Sequence, residues 1–405
     1  MKKTLLYFLL QLFTFQITYA QTWLPLGEGV RPERSFQSAD VRSMAFDSVN
    51  QWLYVGGDFY YAGDTVSRML AIWNGMNWIT TEVNGGYFAK PIKSLLAKHD
   101  TIYYATGGGI AAMKEDTYIE GTGLPGLGDE VLCMQFYHDT LYAGGDFGGY
   151  IKKWTGKKWE TLGRGLSALN SGEVDALSVY NNQLIAGGLF KYADGKVVNN
   201  IAAWDGTAWH NLGEGTKLST SEYLGNVNAL TVYGDKLIAG GNFDTVGNKP
   251  AYNIAEWNGL EWQPMPGLCG IVEDIIPYKG GIYAAGSFGG YDVCDANRVA
   301  FYNGNDWVDL GFGMQSLIVC LALFNDQLVV GGSFYKAGTT SANKIAMLTN
   351  FTGATDFRNN EQISVYPNPA TDQLHIETPG IRNATVTIIN LLGQVVLNSS
   401  FLIMH

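Results

Sequence analysis

Charge is scarce in this chain. Only 16% of its 405 residues are Asp, Glu, Lys or Arg, and the acidic ones outnumber the basic, 37 against 26, for a formal net charge of −11. A surface of that sign repels phosphate backbones, so no nucleic-acid partner is expected. Histidine is rarer still, at five residues. His99 and His138 fall at equivalent turns of different repeats and His210 follows Trp209 in another, so nothing gathers them into a metal centre and no cofactor is expected. Gly-x-Ser-x-Gly, P-loop and Cys-x-x-Cys patterns are missing, and the chain leans away from being an enzyme. Beyond the first twenty residues no apolar run is long enough to span a bilayer, so no transmembrane segment is expected.

Met1 to Ala20 reads as a secretory signal peptide. Lys2 and Lys3 give the charged start, TLLYFLLQLFTF the short apolar run, and Ala20 a small residue suited to cleavage. Export permits disulfides, and four cysteines are present. Cys133 and Cys320 sit at equivalent places in non-neighbouring repeats, which makes a bond between them geometrically poor. Cys269 and Cys294 flank one repeat and are the better disulfide candidate, although two buried and two free thiols would also fit.

What the chain has in abundance is glycine, 51 residues, and aromatics, 13%. Both favour an all-β fold with many turns. Four strand-like segments recur in order. The first alternates, as in VDALSVY and VNALTVY. The second ends in a glycine pair and Phe, as in LYVGGDF, LYAGGDF, LIAGGLF and LIAGGNF. The third ends in an aromatic and a turn, as in AIWNG and IAAWDG, and the fourth is Trp-x-x-Leu-Gly, as in WETLG and WHNLG. Asn-Gly, Asp-Gly or Thr-Gly between the last two is a strong hairpin signal, because Gly accepts positive φ.

Counting a degenerate copy from Ser94 to Glu120 gives seven units. Four strands per unit at a period of roughly 40 to 50 residues fit propeller blades rather than helical solenoids. The unit around LVVGGSF lacks its Trp-x-x-Leu-Gly segment, and Trp23 to Gly27 supplies one. The sequence therefore predicts a seven-bladed β-propeller over residues 22–352, closed by the N-terminal strand.

The pattern IAAWDGTAWHNLGEG…VNALTVYGDKLIAGGNF resembles the Rax2-like and kelch-type propeller repeats of secreted proteins. That resemblance implies a fold and says little about activity. A polar linker, residues 353–361, leads to ISVYPNPATDQLHIE and TVTIINLLGQVV. Residues 362–405 closely resemble part of the type A C-terminal sorting domain of the type IX secretion system. Tyr366, Pro367, Asn368, Pro369, Asp372, Leu374, Ile376, Gly393 and Gln394 carry the resemblance. It implies a small, partial β-sandwich-like module, the type IX secretion machinery as a partner, and a secreted or outer cell-surface location. The family continues for several more strands, so the expectation is that this sequence carries only about half of the module.

Candidate site residues follow from the repeat geometry. Asp58 and Asp146 share the place filled by Leu189, Asn242, Ser287 and Ser333 in other units. They read either as a polar ring at a channel mouth or, more simply, as turn caps. Trp at fixed repeat positions reads as packing between blades. Tyr60, Tyr61, Tyr192, Tyr291 and Tyr335 are expected in loops, on the face that carries the long and varied segments YYAGDTVSRML, KYADGKVVNN and GGYDVCDANR. Varied loops on a rigid scaffold are where binding usually resides. The expectation is an exported, non-catalytic propeller that binds an extracellular protein or glycan. Asp58, Tyr60, Asp146, Tyr192, Asn242, Tyr291 and Tyr335 are its candidate contacts. The alternative is a polysaccharide-active hydrolase or lyase with carboxylates at the channel mouth.

Overall fold

A computed structural model describes residues 22–34, 37–81, 90–106, 109–119, 124–125, 127, 130–220, 225–288, 298–310 and 313–349, and four strands beyond residue 350. Contacts divide the chain into Gln21–Gly353 and a second unit that includes Ala354–His405. Every regular element among the described residues is a β-strand.

The unit Gln21–Gly353 carries seven antiparallel sheets of four or five strands among its described residues. In the first sheet the strands Asp40–Asp47, Trp52–Asp58, Leu70–Trp73 and Trp78–Thr80 pair in chain order. The second repeats this with Leu95–Lys98, Thr101–Thr106, Gly109–Lys114 and Thr117–Tyr118. The first strands of the third to sixth are Val131–Tyr137, Glu173–Tyr180, Asn226–Tyr233 and Val272–Tyr278. The seventh pairs Ile318–Phe324, Gln327–Gly332 and Ile345–Thr349, and its outer strand is Thr22–Pro25. Trp23 there faces Leu348 and Pro25 faces Ala346.

The apolar residues do not form one core. Seven clusters each lie between consecutive sheets, the last uniting Val41, Leu53 and Val55 of the first sheet with Phe324, Val329 and Ile345 of the seventh. The repeating glycine pair is what lets sheets approach. A Cβ added at Gly331 would fall 2.5 Å from Cγ1 of Val41 in the first sheet. Its partner Gly332 would meet the Leu317 carbonyl, because six first strands carry a β-bulge opposite this second glycine. The bulges leave Arg42, Leu132, Asp175, Asn228, Glu273 and Val319 without a partner in the ladder.

Hydrogen bonds between neighbouring sheets occur at three depths. At the outer edge the indole of Trp78 donates to the Leu26 carbonyl at 2.9 Å, Trp209 to Leu162 at 3.1 Å, and Trp262 to Leu212 at 2.8 Å. Across the cores, the Leu95 amide donates to the Ser43 hydroxyl, the Leu321 amide to the Asp274 carboxylate, and the Cys133 and Cys320 thiols to the carbonyls of Val174 and Val41. At the short-turn end the phenols of Tyr54, Tyr137, Tyr180 and Tyr278 donate to carbonyls in the following sheet. The paired Trp residues also face each other across strands, with ring centroids 5.2 to 5.4 Å apart. Packing accounts for them without a ligand.

In the C-terminal unit, Ser364–Tyr366 pairs with His375–Glu377, and Asn383–Ile389 with Val395–Leu402. Tyr366 ends the first of these strands. Pro367, Asn368, Pro369, Asp372, Gly393 and Gln394 lie outside the described residues.

Candidate ligand cleft on the hairpin face

The long segments between second and third strands are not irregular. Tyr61–Ala62 and Thr65–Val66 form a hairpin that adds to Val30–Arg31. Tyr192–Ala193 and Lys196–Val197 add to Leu166–Ser167, and Thr245–Val246 with Lys249–Pro250 to Thr216–Lys217. Lys336–Ala337 and Thr340–Ser341 form a fourth hairpin. Tyr61 and Tyr192 are therefore strand residues, against the expectation of loops. The signal was in the turns: Asp194 and Gly195, and Gly247 and Asn248, all take positive φ, as the dipeptides Asp-Gly and Gly-Asn do in tight hairpins.

This order occupies most of the expected ligand contacts. Tyr60 lies 4.9 Å from the Tyr61 ring and under the Arg68 guanidinium, and Arg31 covers Tyr61 at 4.3 Å. Tyr335 is 56% exposed, yet the Lys344 ammonium sits 3.1 Å from its ring centroid. Asn242 pairs with Asn226 across two strands. Asp58 pairs with Asp40, whose carboxylate holds Arg42 at 2.9 Å. Burial, and then the Asp40 charge, raise the Asp58 carboxyl, while Arg42 acts the other way. Tyr291 and Cys294 lie outside the described residues. Cys269 is disulfide-bonded, whereas Cys133 and Cys320 are free thiols that burial holds well above the usual range.

Asp146 has a different setting. Between Gly145 and Ile151 the third sheet has only the connection 146–150, too short for a hairpin, and it turns through positive φ at Gly149 and Tyr150. The gap is a cleft of about 430 Å³. Asp146, Phe147, Gly148 and Tyr150 form one side, and Ser171, Gly172, Glu173 and Leu189 of the fourth repeat form the other. Glu173 begins the fourth sheet's first strand and pairs with Leu189 at the end of its second, so both are fixed by the ladder. The backbone amides of Gly172 and Ala168 come near the Tyr150 phenol and partly oppose the burial that raises it. Gly172 has no room for a side chain: a Cβ would lie 2.4 Å from the Leu189 carbonyl and 3.0 Å from the Tyr150 ring.

The cleft's electrostatics are acidic. Burial raises the Glu173 carboxyl, the charges of Asp146 and Glu130 add to this, and Lys93 opposes it. Burial also raises the Tyr150 phenol, with Asp146 reinforcing it. Two residues along the strand, burial and then the charges of Glu173 and Glu273 push Asp175 up to about 8. Its Oδ2 is buried without a hydrogen-bond partner. The nearby cations are engaged, since Lys93 pairs with Glu130, and Lys90 lies 3.8 Å from the same carboxylate. Among the described residues no three His, Cys, Asp or Glu side chains are grouped to hold a metal ion.

Sequence reasoning found Asp146 and missed Tyr150, Ser171 and Glu173. The signal was the length of the second connection, DFGGY, against DFYYAGDTVSRML in the first unit.

Comparison with known proteins gives two findings. Residues 364–403 match the family of secretion system C-terminal sorting domains. The extracellular domain of a one component system from B. thetaiotaomicron is structurally similar, with a TM-score of 0.57 at 12% identity over 83% of this chain. This chain spans 40% of that one. The WD40 β-propeller domain of Doa1 is similar with a TM-score of 0.51 at 15% identity, over 80% of this chain and 98% of that domain. PorZ, a surface component of the type-IX secretion system of Porphyromonas gingivalis, reaches a TM-score of 0.48, too low to carry an argument. No curated protein matches the sequence. The fold is thus β-propeller-like, and the sorting domain marks the chain as a type IX secretion cargo, secreted or displayed at the cell surface.

Proposed function

We propose that residues 22–352 form a closed ring of seven blades of the Rax2-like or kelch kind, joined by 353–361 to a sorting module at 362–405. In this reading the ring is a non-catalytic binding scaffold, and its hairpin face takes an extracellular glycan or protein. Support for the ring comes from the Trp23–Leu348 pairing and from the apolar cluster shared by the first and seventh sheets. Rigid supports on all sides, with one short connection between them, are what a preformed site needs. The observation that carries the binding reading is the cleft left where the third sheet has no hairpin.

The test uses the full chain on a glycan array and in a pull-down from cell surfaces. Selective retention that Asp146→Asn weakens is the expected result. Robust turnover of a polysaccharide, or retention indifferent to that change, would overturn it.

One observation favours a second reading, a glycoside hydrolase or lyase. Asp146 and Glu173 line the same cleft, and the burial that raises Glu173 would suit it to a general acid. Carboxyl separations of roughly 5 to 10 Å are those such enzymes use. A reducing-end assay over a polysaccharide panel tests it, with Glu173→Gln expected to abolish any release.

A further inference from the structure

We propose that the cleft between the third and fourth sheets selects a glycan bearing a free primary amine, a de-acetylated hexosamine, over its neutral or N-acetylated counterpart. This rests on the binding reading above and adds the chemistry of the ligand.

Three observations lead there. First, the lining holds two carboxylates, Asp146 and Glu173, and no cation of its own. The lysines nearest to Glu173 are already spoken for: Lys93 and Lys90 share Glu130. Lys93 offsets part of the Glu173 charge and Lys152 lies over Phe147 at 5.1 Å, but the lining itself is acidic, so it disfavours an anionic sugar and favours an ammonium. Second, the other polar groups suit hydroxyls. The Tyr150 phenol and the rotatable Ser171 hydroxyl can each donate to or accept from a sugar hydroxyl. Third, the space is a compact cleft of about 430 Å³ with fixed walls, in the range of small-molecule sites rather than of an extended peptide groove. Gly172 and the Glu173–Leu189 pair hold those walls in place. A side chain of a protein partner could also supply an ammonium, but it would leave the hydroxyl-directed groups unused.

The arrangement carries its own pH dependence. Glu173 faces Asp146 across the cleft, Asp175 on its own strand, and Glu130 and Lys93 from the third and second repeats. Burial and the neighbouring carboxylates favour its protonated form, and an ammonium favours the ionised one. Amine binding therefore releases a proton from Glu173, and affinity rises as pH climbs through the carboxyl's raised range, until the ligand amine itself loses charge.

The experiment is calorimetric titration of the full chain with four probes: a β-1,4-glucosamine trimer, its N-acetylated form, a cellotriose, and a trilysine peptide. The glucosamine trimer is expected to bind at least tenfold more tightly than the other two sugars. Glu173→Gln and Asp146→Asn should each cost tenfold or more, with thermal melting unchanged. In two buffers of different ionisation enthalpy, the wild type should show proton release that Glu173→Gln lacks. Equal binding of all three sugars would overturn the amine preference and leave the binding reading standing. Trilysine binding with the sugars silent would replace the glycan by a protein partner, against this inference. No binding of any probe would overturn the inference as well, and an array hit elsewhere on the hairpin face would keep the broader reading alive.

Discussion

The N-terminal strand offers the sharpest test of how the sheets are held. Trp23 is 3% exposed and packs among Leu321, Val330 and Ala346 of the seventh sheet and Tyr283 and Phe301 of the sixth. Leu24, next to it on the same strand, faces out at 43%. Truncating a buried Trp to Ala costs about 3–5 kcal/mol once the cavity is included. Unfolding entropy near 2.1 cal/mol/K per residue, over the roughly 330 residues of Gln21–Gly353, gives about 0.7 kcal/mol/K. Trp23→Ala should therefore lower Tm by about 4–7 °C if the unit melts as one, as followed by near-UV circular dichroism or calorimetry. Leu24→Ala has the same backbone and little burial, so it should move Tm by no more than about 1 °C. Equal shifts for the two would refute the argument that strand Thr22–Pro25 is an integral part of the seventh sheet. A Trp23→Ala transition that splits in two would also refute it, by making the sheets melt independently.

Gly331→Ala should destabilise by about 1–3 kcal/mol, because the new methyl overlaps Val41, and a urea midpoint measurement checks it. Asp175 binds its proton more tightly folded than unfolded, so stability falls as pH rises from the ordinary carboxyl range to about 8. Asp175→Asn should flatten that slope and raise Tm more at pH 8 than at pH 4. A larger gain at pH 4 would contradict the sign. Cys320 is buried and Cys133 half-buried, and burial raises both thiols, so iodoacetamide at pH 8 should spare both in the native chain and label both after unfolding, as read by mass spectrometry. Gly172→Ala should displace Tyr150 and weaken cleft ligands tenfold without loss of the hairpins, measured by calorimetry with melting as control.

Much of the architecture was legible because its causes are local and periodic. Period-two alternation, the glycine pair and the Trp five residues apart each mark one strand, and the strands fall where those marks lie. The hairpins on the second-to-third connections were readable in principle from Asp194-Gly195 and Gly247-Asn248, yet their length disguised them as loops. The cleft was hidden for another reason. It arises from something missing, a hairpin that the third sheet does not carry, and it joins Asp146 to Glu173 across two repeats. No spacing rule applied to a single segment brings those residues together. The state of Glu173 and Asp175 depends on burial between sheets, which composition does not reveal.

Thr22 and Thr349 touch although 327 positions separate them, the hydroxyl of one meeting the carbonyl of the other at 2.9 Å. The earliest part of this unit to leave the ribosome is thus matched with nearly the last. Until that late segment arrives, Ile345's sheet does not exist and Trp23 has nowhere dry to go. Such distant pairing slows folding and prolongs the time an oily edge stays open.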